Sequence, residues 1–242
     1  MKDSFRQTAS PSEAEQALKE WGVAFERAED GTIRVPGSID ISNQQLEKMP
    51  DLSMVVVEGS FYCSRNRLTS LEGVPQHVGG TFLCENNLLT SLAGAPQYVG
   101  ENFRCGHNEI TTLEGAPQHV GGLFHCGDNP LLVSLKGAPA TAAEFNCNTC
   151  NLSSLEHAPL TVKRLFACHR NPLASLEDAP RYFATLRSDF GTYNSWHEVP
   201  DEIAPETKPK RIEEILQDAT KLSGPVTTAR TARFTKSRQP AT

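Results

Sequence analysis

The chain has 242 residues, a hydrophobic content of 38% and a formal charge of −6. No stretch approaches the roughly 18 apolar residues of a membrane span, and the opening MKDSFRQTAS lacks the apolar segment of a secretory leader, so a soluble, unsecreted protein is expected. Residues 219–242 hold five basic side chains and no acid, which leaves −6 − 5 = −11 for residues 1–218. An acidic body with a basic tail disfavours a polyanion as main partner.

The first element predicted is a helix in SPSEAEQALKEWG, with Ser10 as cap, Pro11 at the first helical position and Glu13 completing a capping box. Ala14, Ala17, Leu18 and Trp21 share one face, and Gly22 stops the helix. VAFERAEDGTIRVPG follows, with Asp30-Gly31 as a tight turn between two alternating strands. Residues 1–38 are thus read as a helix and hairpin closing the end of whatever comes next, with Trp21 in the cap's core rather than a ligand platform.

Residues 39–186 repeat. FYCSRNRLTSLEGVPQHVGGT from Phe61, FLCENNLLTSLAGAPQYVGEN from Phe82 and FRCGHNEITTLEGAPQHVGGL from Phe103 have the same length, and further copies begin at Phe124, Phe145 and Phe166. One extra residue near Leu132 is offset by one fewer before Phe145. Ile39 opens an earlier, weaker copy, which makes about seven turns.

In F-x-C, strand alternation sends Phe and Cys inward together, so Cys63, Cys84, Cys105, Cys126, Cys147 and Cys168 form one buried column. Asn66, Asn87, Asn108, Asn129 and Asn171 form a second column at the bend, where a buried amide satisfies backbone groups. Disulfides are not expected from a continuous ladder of thiols with an odd total of seven cysteines. Cys147 and Cys150 make a C-x-x-C, but Cys150 stands in the asparagine column and no second pair completes a tetrahedral site, so neither metal nor cofactor is expected. CGD at 126–128 resembles the Cys-x-Asp nucleophile of bacterial ubiquitin-ligase effectors, yet Cys126 is a column residue and no separate helical catalytic domain follows.

The other half of each copy, SLEGAPQHVGG, holds a proline every time and several glycines, which rules out a stable helix there. That side should be extended or polyproline-like, giving a gently curved solenoid.

The pattern F-x-C-x-x-N-x-L-x-x-L-x-G-x-P resembles the leucine-rich repeat, L-x-L-x-x-N/C-x-L. It is similar to the short bacterial repeats of secreted effectors and closer still to repeat proteins encoded by tailed phages, through the phrases at 69–75, 90–96 and 111–117 and VGG at 78–80 and 120–122. The resemblance implies an α/β-poor repeat solenoid: a horseshoe of short parallel strands with a helix-free convex side. It also implies a site in the bacterial host cytoplasm or the virion, and names no partner.

After Pro180 the repeat decays. Tyr182, Phe183, Phe190, Tyr193 and Trp196 suggest a C-terminal cap over residues 187–204. Residues 205–224 offer an amphipathic helix with Ile212, Ile215, Leu216, Ala219 and Leu222 on one stripe, and 225–242 a basic extended arm with Arg230, Arg233, Phe234, Lys236 and Arg238. Helix and arm are read as the docking segment for another chain.

Function falls to the outward strand positions, where Tyr62, Arg104, His107, His125, Asp128, His169 and Arg170 are residue types suited to a protein–protein face. The expectation is a non-catalytic protein-binding or assembly protein, with no membrane or cofactor and a nucleic acid disfavoured. A substrate-recognition module of an effector, or a weak anion binder acting through the arm, is the alternative.

Overall fold

The computed structural model describes residues 12–205. The turns up to Glu144–Asn146 contribute two very short strands each, because proline, glycine and the asparagine bend interrupt the extended runs, whereas Thr161–Ala167 and Tyr182–Ser188 are single longer strands. The first strands of successive turns, from Ile39–Asp40 through Phe61–Tyr62, Phe82–Leu83, Phe103–Arg104, Leu123–His125 and Glu144–Asn146 to Thr161–Ala167 and Tyr182–Ser188, pair in parallel as the front sheet. The chain is therefore a helix-poor parallel β-solenoid of about seven turns.

A second ladder runs behind it through Ile33–Val35, Val55–Val57, His77–Val78, Tyr98–Val99 and His119–Val120. The segment expected to be merely extended or polyproline-like is hydrogen-bonded β-structure at these residues, because Val78, Val99 and Val120 point inward and hold the backbone in register. The back ladder stops at His119–Val120, and Thr141–Ala142 pairs instead with the long strand Thr161–Ala167. This is where the connection to the next Phe is one residue shorter, so register with the preceding turn is lost.

Between the sheets the core is a set of columns. Phe61, Phe82, Phe103, Phe124, Phe145 and Phe166 are fully buried and stack with ring centroids 5.2 to 5.9 Å apart. Each asparagine amide bridges two turns: Asn108 Nδ2 donates to the carbonyls of Cys84 (3.1 Å) and Cys105 (3.0 Å), while its Oδ1 accepts from the Leu89 N–H at 3.1 Å. Asn87, Asn129 and Asn171 repeat this pattern. In Cys150 the column has a thiol, whose Sγ reaches the Cys126 carbonyl at 3.5 Å.

The column thiols each donate to a carbonyl of the next strand, from Cys63 Sγ to Leu83 O at 3.3 Å to Cys168 Sγ to Arg187 O at 3.6 Å. Burial pushes Cys168 up to about 12 and the half-buried Cys150 up to about 11, and raises the other five further. All seven are free cysteines. Cys63 and Cys168 are as buried as the central ones, since the Ile39 turn covers one and the Arg187 strand the other. Titration with a thiol reagent under native conditions should modify Cys150 first and the six column thiols only as fast as the chain unfolds. Rapid native labelling of Cys105 would overturn the buried ladder.

Two corners of each turn from Phe61 to Phe166 have a left-handed backbone. One uses Gly73, Gly94, Gly115 and Gly137, then His157 and Asp178; a Cβ at Gly115 would lie 2.7 Å from the backbone of Leu92 and Ala93. Gly115→Ala should thus destabilise by about 1–3 kcal/mol, whereas His157→Gly should leave the melting temperature equal or higher. Paired thermal melts decide this, and equal losses in the two variants would refute it.

The N-terminal helix spans Glu13–Glu20, two residues later than predicted. SPSEAE holds two overlapping capping boxes, and the structure uses the second, Ser12 Oγ accepting the Glu15 N–H at 3.3 Å. Ala14, Ala17 and Leu18 are buried beneath it, and Arg27 of the Glu26–Arg27/Ile33–Val35 hairpin bonds Glu15 through Nε at 2.8 Å. At the other end Tyr193 and Trp196 are buried, Phe183 meets Trp196 edge to face at 5.4 Å, and the Leu176 N–H donates to Ile203 O.

Candidate functional site: the front-sheet face

Alternation along F-x-C leaves one residue between the buried pair facing outward. In register these form the row Asp40, Tyr62, Leu83, Arg104, His125, Asn146, Ala167 and Arg187, of which Ala167 is buried. The structure brings Arg104 and His125 side by side and adds Glu85, which the sequence reading had not singled out. Arg104 Nη1 lies 4.0 Å and His125 Nδ1 3.6 Å from Glu85 Oε1, distances of charge contact rather than of a formed hydrogen bond. The His125 ring leans over Gly106, whose missing side chain makes room for it: a Cβ there would stand 2.9 Å from His125 Cε1.

His125 is only 15% exposed in its side chain, and its Nδ1 is a buried atom with no hydrogen-bond partner. Burial lowers its pKa first of all; Arg104 and His107 add to this, while Glu85 and Asp128 oppose it. Below the ordinary value of about 6.5, the unfolded chain takes up a proton that folded His125 resists. Stability should therefore be unaffected by this group above about pH 7 and fall as pH drops through that value. His125→Gln should flatten this acid limb in denaturant titrations between about pH 7 and 5; an unchanged slope would contradict the burial argument.

His107 and Asp128 occupy consecutive turns of the second left-handed corner, with Nε2 and Oδ2 at 3.8 Å. This corner, Arg65, Asn86, His107, Asp128, Thr149 and Arg170, never uses glycine although every residue has a positive φ. Arg170 lies two turns beyond Asp128, its backbone N–H held by Asp189 Oδ2 at 2.6 Å. The backbone N–H of His169 donates to Asn148 Oδ1 at 3.0 Å, and its Nδ1, like Ser64 Oγ, is buried and unpartnered. Tyr62 stands two rows from Arg104 with Leu83 between, outside the Glu85 cluster. Ile212, Ile215, Leu216, Leu222, Arg230, Arg233, Phe234, Lys236 and Arg238 lie outside the described residues.

The back sheet carries a feature the sequence reading missed. His77, Tyr98 and His119 stack with ring centroids 4.5 and 4.7 Å apart and planes within 5°. The signal was present as QHV, QYV and QHV at one position of three copies. A shallow groove of about 290 Å³ lies near the N-terminal helix, lined by Glu13, Lys48, Met49, Asp51, Glu72 and Gly73. Among the described residues no three His, Cys, Asp or Glu side chains gather as a metal cage, and no helix is long and apolar enough to cross a membrane.

These features define a class: a parallel β-solenoid with a repeated frame and a front face whose side chains change from turn to turn. No family model, curated protein or solved structure matches the chain.

Proposed function

We propose that the chain is a non-catalytic protein-binding or assembly protein of the leucine-rich-repeat type, an accessory or virion component of a tailed phage. It presents the front face to a partner and attaches through residues 205–242. One observation carries this reading: the front row changes its side chain from turn to turn while the buried columns do not. The front row reads Tyr, Leu, Arg, His, Asn, Ala and Arg from residue 62 to 187, of which only Ala167 is buried, whereas the Phe and Cys columns repeat unchanged. Packing explains the repetition of buried positions, and recognition of an irregular protein surface explains the variation of exposed ones. The second left-handed corner supports this, because it keeps six side chains where glycine would relieve the backbone.

The test uses the full chain as bait in affinity capture, with Arg104→Glu on the front and Gln118→Ala on the back, both verified to melt like the parent. A partner lost with the first and kept with the second supports the reading. A partner set indifferent to Arg104→Glu and also to deletion of residues 206–242 rules it out.

A further inference from the structure

Glu85, Arg104 and His125 stand on three consecutive turns of the front face, and one carboxylate oxygen there serves two nitrogens. Glu85 Oε1 lies 4.0 Å from Arg104 Nη1 and 3.6 Å from His125 Nδ1, so it is hydrogen-bonded to neither. The two nitrogens differ in what they lose without it. The Arg104 side chain is 41% exposed, where water replaces a missing partner and an ion pair is worth little. The His125 side chain is 15% exposed and its Nδ1 is enclosed without a partner, so a charge on that ring depends on a protein group to accept from it.

The protonation of His125 therefore decides where Glu85 goes. In the neutral ring no charge calls for a partner, and the carboxylate rests between its two neighbours. In the imidazolium, Nδ1–H is an enclosed charged donor, and a movement of about 0.8 Å by Glu85 makes an ordinary charge-assisted bond. The other charged and titratable groups around the ring are Arg104, Asp128 and His107. Asp128 stands with His107 at the corner, Oδ2 to Nε2 at 3.8 Å, so the carboxylate within reach of His125 Nδ1 is Glu85. Arg104 and the imidazolium are then like charges beside one carboxylate, and the exposed one yields. Its guanidinium turns outward with a fork of donors open, the geometry that grips a carboxylate at two points.

We infer that the front face takes its partner through a carboxylate on Arg104, and that proton uptake at His125 opens this place by drawing Glu85 away. This rests on the proposed function and names the regulation of its site. The two events favour each other: acid tightens the contact, and the contact makes His125 easier to protonate. Burial outweighs Glu85 and keeps the His125 midpoint below the ordinary value of about 6.5. Affinity should thus be level above about pH 7.5 and rise as pH falls through that midpoint, by at most about tenfold per pH unit because one proton is involved.

Side-chain resonances of the full chain, followed from about pH 8 to about pH 5, test the exchange without a partner. The His125 signals are those missing in His125→Gln. In the parent, the Arg104 Cζ signal should move with the same midpoint as His125, and Glu85→Gln should lower the His125 midpoint by about half a pH unit or more and leave Arg104 still. Arg104 signals that ignore the His125 titration, or a midpoint unmoved by Glu85→Gln, overturn the inference. The captured partner gives the second arm. Its affinity for the parent should rise at least about fivefold from about pH 7.5 to about pH 5.5. Glu85→Gln should bind at both values as the parent does in acid, and His125→Gln should bind alike at both. Binding that is lost with Arg104→Glu but level with pH in the parent leaves the proposed function standing and removes the switch. Coupled resonances with no capture at either pH remove the proposed function and, with it, the carboxylate on Arg104.

Discussion

Asn108→Ala should lower unfolding free energy by several kilocalories per mole, while Glu109→Ala beside it should stay within about 0.5 kcal/mol of the parent. The amide of Asn108 is the partner of the Cys84 and Cys105 carbonyls and of the Leu89 N–H, and the residue is 5% exposed. Removing it leaves the Leu89 N–H inside the solenoid without that partner, at about 1–3 kcal/mol, and costs about 1 kcal/mol more for each bond lost at the two carbonyls, which keep Asn87 and Asn129 as donors. Because Asn108 joins one turn to the next, the loss weakens an interface as well as a turn. Glu109 is exposed and its backbone bond to Leu89 survives truncation. Urea titration of the two variants, read as midpoint and slope, separates them, and coincident midpoints would show that the amide column holds nothing together.

Phe103→Ala should cost about 3–5 kcal/mol. The ring is fully buried between Phe82 at 5.6 Å and Phe124 at 5.3 Å, so truncation opens a cavity and removes two stacked pairs. The walls cannot close on the gap, since ladder bonds such as Phe82 N to Asn102 O and Cys105 N to His125 O pin the neighbouring rows. Phe103→Leu keeps most of the volume and should cost less than half as much. Thermal melts of the two variants check the ranking, and an equal cost would mean the stack is loosely packed.

The solenoid was legible because its buried positions repeat and the reasons for burial are local. F-x-C places two side chains inward by alternation alone, and asparagine at a bend satisfies backbone wherever it occurs. What was not legible depends on register between residues about twenty positions apart. Glu85 joins Arg104 and His125 because His125 tilts across Gly106, and that tilt follows from an empty position in the neighbouring turn rather than from anything adjacent to His125 in sequence. The back ladder was read as extended chain because two-residue strands have no periodicity to detect. The helix start was ambiguous for a plainer reason: Ser10 and Ser12 each have a glutamate three residues on, and sequence does not rank them.

The interruption of the back ladder after Val120 has a mechanical meaning. A solenoid is a row of units coupled to nearest neighbours, and its cooperativity is no greater than its weakest coupling. Between the turns of Val120 and Ala142 the front ladder continues through Phe124 and Phe145, but the back rung is absent. The joint there is weaker at the back, where single bonds such as Leu113 N–H to Lys136 O and Glu144 N–H to Gly122 O remain but the strand pairing does not. Pulled from its ends, or loosened by mild denaturant, the molecule should open first at this plane, hinging about the front sheet and exposing the flank of the Phe124 and Phe145 rings while the turns on either side stay wound.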